Sequence, residues 1–156
     1  MRRKHRIERT YEPDLVFQSP QVTKFINYIM REGKKTVAKK IFYQAMEIVK
    51  KKVNQDPLSI FNLAIENVSP EQELVTRRIG GANYQIPRKV PEYRKFILAS
   101  RWILESARGK KGKSMAEKLA EELILASKKE GDAYKKRLTV EKMAEANRAF
   151  AQFGTK

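Results

Sequence analysis

The sequence predicts a mainly α-helical domain, a bundle of about six helices with one protruding β-hairpin between the third and fourth helices. Apolar residues recur at helical spacing along most of the chain. The stretch 71–90 lacks that spacing and instead places β-branched and aromatic residues on both sides of a Gly-Gly turn. Because 156 residues is an ordinary length for one folding unit, residues 1–156 are expected to form a single domain around one core.

The N-terminal residues 1–14 lack periodicity and are predicted to form a disordered basic arm that orders on a polyanion. The basic residues of this arm are Arg2, Arg3, Lys4, Arg6 and Arg9. The region 15–70 is predicted to contain three helices. The first begins at Ser19-Pro20, where an N-cap residue precedes a proline suited to the first helical turn, and it continues to Gly33.

The second and third helices each show one apolar face, so both are expected to pack against the same core. On the second helix the predicted inward face consists of Val37, Ile41, Ala45, Ile48 and Val49. The third helix begins at the Asp56-Pro57 cap and ends at Ser69-Pro70. Its predicted inward residues are Phe61, Ala64, Ile65 and Val68.

The region 71–90 is predicted to be a β-hairpin with strands from Glu73 to Ile79 and from Tyr84 to about Lys89. The turn residues are Gly80, Gly81, Ala82 and Asn83. Toward the tip, arginine and apolar residues share both faces, so neither face there is apolar enough to pack in a core. A lone two-stranded ribbon is marginally stable in water, which favours a partner that lies along it.

The region 91–156 is predicted to contain three more helices. The fourth spans about residues 91–107, and apolar residues cover much of its circumference. The fifth begins at Ser114, whose spacing to Glu117 is that of a capping box, and it ends at Gly131. The last helix contains the string "VEKMAEANRAFA", and its predicted inward residues are Val140, Met143, Ala144, Asn147 and Phe150.

The charge balance predicts a large polyanion as the partner. Thirty-four Lys and Arg residues against eighteen Asp and Glu residues give a net charge of +16, far beyond what solubility requires. Residues 1–40 and residues 71–113 each carry 11 basic and 4 acidic side chains, a net charge of +7 apiece. The net charge is zero over residues 41–70 and +2 over residues 114–156. The excess therefore lies in the segments that hold the arm, the hairpin and the loops.

The residue inventory excludes most catalytic and metal-binding classes. The absence of cysteine excludes disulfides, thiolate metal sites and thiol nucleophiles. The only histidine, His5, lies in the predicted arm, where a His-based catalytic triad cannot be held in the required geometry. A single histidine also cannot form a multi-histidine metal site. No apolar run approaches the ~18 residues of a membrane span. We expect a cytoplasmic protein that is not an enzyme and has no cofactor, metal or membrane partner.

The hairpin tip is the first candidate binding site. Arg77 and Arg78 would neutralise phosphates, and Gly80 and Gly81 would let a nucleic-acid backbone approach closely. Tyr84 is available to stack on a base or, alternatively, covers its cross-strand neighbour. The competing interpretation of the whole segment is an ordinary hairpin made soluble by its charges.

A second candidate site lies at the start of the second helix, where Lys34, Lys35, Lys39 and Lys40 cluster. The helix macrodipole disfavours cations at that end by roughly 0.3 to 1 kcal/mol each. A phosphate bound there would be held by the dipole and the lysines together. The alternative is a lysine run that is merely solvated.

The string "ARGKKGKS", residues 107–114, fits a relaxed phosphate-binding loop and is the best enzyme hypothesis that the sequence offers. That mechanism requires a strand before the loop, whereas a helix is predicted here, so a flexible basic loop is the favoured interpretation. The nearby Glu117, Glu121 and Glu122 are interpreted as a solvated face opposite lysines. Trp102 is expected in the core rather than on a stacking surface.

Four strings resemble, in order and spacing, the bacterial type of small-subunit ribosomal protein seven. They are "EGKK" at 32–35, "RRIGGANYQIP" at 77–87, "LASRWILESAR" at 98–108 and "KMAEANRAFA" at 142–151. The resemblance covers essentially the whole chain, and it implies a helical bundle with a protruding hairpin, the same fold that the periodicity predicts.

The resemblance further implies a primary binder of small-subunit ribosomal RNA that nucleates folding of the 3′ major domain, the head of the subunit. It also implies that the hairpin lies beside the exit-site tRNA and the mRNA path, near ribosomal protein eleven. The residues implied to face ribosomal RNA are Arg2, Arg3, Lys4, Arg6, Arg9, Lys34, Lys35, Arg77 and Arg78. Charge adds Arg94, Arg101, Lys110, Lys111 and Lys113. The residues implied to reach toward tRNA are Gly80, Gly81, Ala82, Asn83 and Tyr84.

Two other functions compete with this interpretation. The first is a DNA-binding helical protein whose hairpin acts as a wing, and higher affinity for duplex DNA than for ribosomal RNA would favour it. The second is a nucleotide hydrolase built on residues 107–114, and magnesium-dependent nucleotide binding would favour it.

Overall fold

The computed structural model describes residues 11–154, and this part of the chain forms six α-helices and one two-stranded antiparallel hairpin. The helices are α1 (Pro20–Ile29), α2 (Lys35–Val53), α3 (Pro57–Val68), α4 (Glu92–Gly109), α5 (Met115–Ser127) and α6 (Gly131–Ala146). The hairpin strands are β1 (Gln72–Ile79) and β2 (Ala82–Lys89), and a short C-terminal 3-10 helix spans Arg148–Gly154. The hairpin lies between α3 and α4, so the predicted fold class is confirmed.

The core lies around α5, which contacts α2, α3, α4 and α6. Beside it, α1, α2 and α3 each contribute one fully buried phenylalanine: Phe25, Phe42 and Phe61. Their ring centroids are 5.1 to 5.8 Å apart at steep interplanar angles, the geometry that aromatic rings prefer. Trp102 of α4 is also buried, as predicted. This core fixes the helix ends and loops that carry the basic residues.

The inward face of α2 differs from the predicted one. Val37, predicted to be buried, is 51% exposed, whereas Phe42, absent from the predicted face, is fully buried. The buried residues of α2 are Ala38, Phe42, Ala45, Met46 and Val49. The two sets share Ala45 and Val49, and the predicted Ile41 and Ile48 are partly buried against the core. Both sets recur at helical spacing, so the pattern of α2 alone does not determine its rotation. The aromatic neighbours on α1 and α3 determine it.

Local capping signals predict the starts of α3 and α5 correctly. The Asp56 carboxylate accepts a hydrogen bond from the backbone N–H of Ser59 at 2.9 Å. Ser114 and Glu117 form a reciprocal capping box, with bonds of 3.3 and 3.0 Å. Ser19 occupies the N-cap position of α1 but makes no side-chain cap hydrogen bond, so only the proline that follows it acts as predicted.

The predicted boundary between the last two helices is wrong. Helix α5 ends at Ser127, and Gly131, predicted to end it, is the first residue of α6. The φ of Gly131 is +88°, a left-handed conformation that favours glycine at this break. On α6, Ala144 is buried as predicted, but Met143 is 49% exposed. The string that predicted the last helix therefore covers only the end of α6 and part of the 3-10 helix.

The predicted disordered arm, residues 1–14, is too long, because Asp14 has defined contacts with the rest of the protein. Asp14 is buried, and its carboxylate accepts hydrogen bonds from the Tyr43 hydroxyl at 2.7 Å and from the backbone N–H of Val16 at 3.1 Å. Burial, and then the bond to Asp14, raise the pKa of Tyr43 to about 12. Residues before 11, which include the five predicted arm cations, lie outside the described residues.

Candidate nucleic-acid interface

The hairpin presents its tip to solvent through a turn that requires glycine. Gly80 and Gly81 have φ of +58° and +89°, and this left-handed pair closes a two-residue loop whose twist matches the strands. Arg78 pairs across the strands with Asn83, and Arg77 with Tyr84. The two arginines are exposed, and as sequence neighbours on a strand they point to opposite faces. The tip can therefore meet phosphates on either side.

The hairpin is supported along its length by the C-terminal part of the chain. Helix α6 contacts both strands, and the 3-10 helix contacts β2. The ring centroids of Tyr84 and Phe150 are 5.4 Å apart, and Tyr84 is partly buried. Its neighbour is therefore Phe150, and not only the base or the cross-strand residue that the sequence suggested. Ile86 and Val90 are buried as well, whereas Gly80, Gly81, Ala82 and Asn83 are exposed. The turn is shorter than the predicted four residues, because Ala82 and Asn83 already pair in β2. The tip protrudes, but the rest of the hairpin is part of the packed body.

Ion pairs fix the base of the hairpin to the start of α4. The Arg94 guanidinium is 2.7 Å from the Glu73 carboxylate of β1. The Lys95 ammonium lies 2.8 Å from Glu92 and 3.2 Å from Glu71, and hydrogen bonds to these two carboxylates raise the pKa of Lys95. Arg94, predicted as a phosphate contact, thus has an intramolecular partner, and its side chain remains 44% exposed.

The basic loop between α4 and α5 is attached to carboxylates of α5. The Lys110 ammonium lies 2.7 Å from the Glu122 carboxylate, and Lys113 pairs with Glu121. The hydrogen bond between Lys113 and Glu121 raises the pKa of the lysine and lowers that of the glutamate. Within residues 11–154, no carboxylate pairs with Lys111, which is exposed. Of the three predicted loop cations, Lys111 is therefore the most available to an anion.

Glu122 does not belong to a solvated face, so that prediction is wrong. Its side chain is 0% exposed, and its second carboxylate oxygen accepts a hydrogen bond from the backbone N–H of Ala133 at 2.9 Å. Ala133 lies in the first turn of α6, whose own N-cap residue makes no side-chain cap bond, so Glu122 caps α6 from α5. A Cβ on Gly131 would lie 3.0 Å from this carboxylate, a second reason for glycine there.

The helix preceding this loop contradicts the phosphate-binding-loop hypothesis. Helix α4 continues to Gly109, so a helix and not a strand leads into residues 110–113. The backbone amides of the loop are therefore not presented as that mechanism requires.

Lysines surround the start of α2, as predicted. Lys34 is the N-cap residue, Lys35 is the first helical residue, and the first turn contains no acidic residue. The Lys34 ammonium is 2.7 Å from the Glu32 carboxylate, but both side chains are largely exposed, so water and salt weaken that pair. The helix macrodipole and the lysines together favour an anion at this end of α2.

Three arginines that lie together form a cluster of which the sequence predicted only one member. Arg31, Arg101 and Arg108 line a depression of about 530 Å³ beside Tyr28. The Arg108 guanidinium donates hydrogen bonds to the backbone carbonyls of Ile29 at 3.2 Å and Tyr28 at 3.4 Å, which end α1. Burial, and then the charge of Arg31, lower the pKa of Arg108. Among the described residues no carboxylate forms an ion pair with any of the three.

A sequence signal for this arginine cluster does exist. Arg101 and Arg108 are seven residues apart on α4, a spacing of two turns that places both on one face. Arg31 follows the end of α1, and only the packing of α1 against α4 brings it to that face.

The described part of the chain contains neither a membrane-spanning helix nor a cluster of metal ligands. No helix there is long and apolar enough to cross a membrane. Residues 11–154 also contain no group of three or more His, Asp or Glu side chains placed to hold a metal ion.

Comparison with known proteins identifies the family. The family model described as ribosomal protein S7p/S5e matches residues 1–148. The small ribosomal subunit protein uS7 of Thermotoga maritima is 51% identical over 153 residues, covering 98% of this chain and 99% of the relative. The Fervidobacterium nodosum protein of the same name is 53% identical with the same coverage, and that of Mycoplasma mobile is 49% identical over 97% of both chains.

These matches extend over nearly the full length of both partners, so they are not confined to one motif. The family consists of structural ribosomal proteins and is non-enzymatic, which confirms the prediction that the chain is not an enzyme. The bacterial relatives also agree with the bacterial type that the four sequence strings indicate. This chain belongs to the ribosomal protein S7p/S5e family.

Proposed function

We propose that this chain is a structural component of the small ribosomal subunit in the cytoplasm and that residues 1–156 are a single RNA-binding domain. The observation that carries the proposal is the family match over residues 1–148. The relatives that cover nearly the whole chain are named as small ribosomal subunit proteins. The net charge of +16 supports direct contact with ribosomal RNA, because a basic surface gains affinity by releasing counterions from the phosphates.

The RNA-binding role includes nucleation of the 3′ major domain, the head of the subunit. Basic groups on the hairpin, at the start of α2, on α4 and in the following loop are all held by one packed body. Such a body can hold separate RNA segments in a fixed relation, which is what a nucleating protein must do. The proposed ribosomal RNA contacts are Arg2, Arg3, Lys4, Arg6, Arg9, Lys34, Lys35, Arg77, Arg78, Arg94, Arg101, Lys110, Lys111 and Lys113, joined by Arg31 and Arg108.

The hairpin tip has a different proposed partner, the exit-site tRNA and the mRNA beside it, with ribosomal protein eleven as a neighbour. Gly80, Gly81, Ala82 and Asn83 are all exposed, whereas the strands behind them are in contact with α6 and, at β2, with the 3-10 helix. A supported ribbon with an exposed tip is suited to reach a partner that the body itself does not touch.

The test of the main proposal is affinity for a transcript of the ribosomal RNA 3′ major domain, measured across a salt series. A scrambled transcript and duplex DNA of equal length serve as competitors. We expect the native transcript to bind at least about a thousandfold more tightly at physiological salt, within the range by which specific nucleic-acid binding exceeds non-specific binding. Equal binding of all three, lost together as salt rises, would refute it. Preference for the duplex DNA would favour the DNA-binding alternative.

Replacing Lys34 and Lys35 with alanine should weaken RNA binding and flatten its salt dependence. Each lost phosphate contact lowers the slope of log affinity against log salt by about 0.7 to 0.9. The matched control removes Lys50 and Lys51, which lie exposed in the last turn of the same helix, within the segment of zero net charge. A slope that falls equally in both double variants would show that total charge, and not an anion site at the start of α2, is responsible.

Shortening the hairpin tests the separate role of its tip. Deleting the cross-strand pairs Arg78–Asn83 and Ile79–Ala82 keeps the Gly80-Gly81 turn and the existing register, so the pair Arg77–Tyr84 closes the loop. We expect the thermal unfolding of the protein to be unchanged and ribosomal RNA affinity to fall no further than in the single variant Arg78→Ala. In reconstituted subunits, tRNA should dissociate faster from the exit site.

If the shortened protein loses much more RNA affinity than Arg78→Ala, or no longer unfolds cooperatively, the tip belongs to the main RNA site or to the core.

A further inference from the structure

An apolar groove lies where the end of α1, the start of α2, the end of α4 and the start of α5 meet. Its volume is about 300 Å³, at the lower end of the range for small-ligand pockets. Apolar side chains form most of its lining: Ile29, Met30, Val37, Ala38, Ile41 and Met115. Three cations complete it: Arg31, Lys34 and Arg108. The groove therefore combines an apolar surface with a positively charged rim.

Val37 is the least expected member of this lining. It is 51% exposed, although its neighbours Ala38 and Phe42 on α2 are buried. Exposed apolar side chains are common singly, but here one belongs to a concave, mainly apolar surface within a protein of net charge +16. A ligand that covers the groove would remove this surface from water.

The rim restricts the chemistry of that ligand. Arg31 and Arg108 line both the apolar groove and the depression of the arginine cluster, so they separate the two. Arg108 is held by the carbonyls that end α1, and both guanidiniums line the same depression, so their charges repel each other. Burial, and then the charge of Arg31, lower the pKa of Arg108. No described carboxylate pairs with either, and Lys34 pairs only with the exposed Glu32. An anion beside the two arginines would relieve that repulsion.

We propose that the groove binds the unstacked base of one nucleotide of the RNA partner, with the adjoining phosphate on Arg31 and Arg108 and the next one toward Arg101. A nucleotide has a base with flat apolar faces on one side of its sugar and an anionic phosphate on the other. This matches the apolar groove on one side of Arg31 and Arg108 and the arginine cluster on the other. RNA is recognised largely through such single-stranded, unstacked bases. An apolar side chain of a neighbouring protein would suit the groove but would leave Arg31 and Arg108 without an anion. This inference rests on the proposed function and specifies one site within it.

The test compares Val37→Glu with Leu63→Glu. Both replace a half-exposed apolar residue with a carboxylate, and both lower the net charge by one, but Leu63 lies on α3 outside the groove. Position 37 is in the first turn of α2, where the macrodipole favours an acidic residue, so Val37→Glu should fold normally. We expect Val37→Glu to lose about tenfold in affinity for the native transcript, because the carboxylate would occupy the groove and repel the adjoining phosphate. Leu63→Glu should lose less than about twofold, because an isolated surface charge is screened.

Crosslinking provides a second readout. The chain contains no cysteine, so Val37→Cys and Leu63→Cys each supply a unique thiol for a photoreactive label. In the complex with the transcript, the label at position 37 should crosslink to one nucleotide at high yield, and the label at position 63 should not.

Three results would overturn the inference, and they are distinguishable. If wild type prefers the native transcript but Val37→Glu and Leu63→Glu bind it alike, the groove is not a base site and the proposed function stands. If Val37→Glu keeps its RNA affinity but a label at position 37 crosslinks to a protein in reconstituted subunits, the groove holds a protein. If wild type itself does not distinguish native from scrambled transcript, the proposed function fails and this site fails with it.

Discussion

Replacing Glu122 with alanine should lower the free energy of unfolding by about 3 kcal/mol, the effect of removing one partner of a buried ion pair. The carboxylate is fully buried, and it holds both the Lys110 ammonium and the backbone N–H of Ala133. Its removal leaves a buried N–H without an acceptor in the first turn of α6 and detaches the basic loop from α5. Chemical denaturation followed by circular dichroism measures the loss.

Two further variants separate the charge of Glu122 from its hydrogen bond. Glu122→Gln keeps an oxygen that can accept from Ala133 but loses the charge, so we expect roughly half of the loss seen with alanine. Combining Glu122→Ala with Lys110→Met in a double-mutant cycle measures the coupling between the two side chains. A stability of Glu122→Ala within about 0.5 kcal/mol of wild type would mean that Glu122 behaves as an ordinary surface residue after all.

Replacing Phe42 with alanine should lower the free energy of unfolding by about 3 to 5 kcal/mol. The ring is fully buried and lies 5.7 Å from Phe61, 5.8 Å from Phe25 and 5.9 Å from Phe17, so its removal opens a cavity among three aromatic side chains. The matched control on the same helix is Val37→Ala, expected to change stability by less than about 0.5 kcal/mol because Val37 is exposed. The reverse order of the two effects would mean that the face predicted from the sequence, with Val37 inward, is the true one.

The fold was predictable because its signals are local. The capping residues Asp56 and Ser114 bond to backbone groups three residues away, and the Gly80-Gly81 turn requires only its own φ angles. The rotation of α2 was not predictable in the same way. Two overlapping apolar sets fit its helical period, and the choice between Val37 and Phe42 depends on aromatic rings that other helices supply.

Some residues of the candidate site could be predicted from local sequence signals, and others depend on contacts between elements. Lysines at the start of α2 and arginines on the hairpin can be found by counting charges along the chain. The role of Glu122 cannot, because it depends on Lys110 and Ala133, which lie twelve residues before it and eleven after it on other elements. Sequence proximity to lysines suggests a solvated carboxylate, whereas packing makes it a buried cap. Arg31 likewise joins Arg101 only because α1 packs on α4.

The contact between the hairpin and the C-terminal segment has a consequence for the order in which the protein matures during synthesis. Phe150, which covers Tyr84, is translated roughly 60 residues after the end of β2 at Lys89. At about 5 to 20 residues per second, a nascent hairpin therefore exists for several seconds before its support is made. A lone two-stranded ribbon is marginally stable, so the hairpin stays weakly ordered until α6 and the 3-10 helix have been made. The surface proposed to meet tRNA is thus among the last parts of the newborn protein to become ordered.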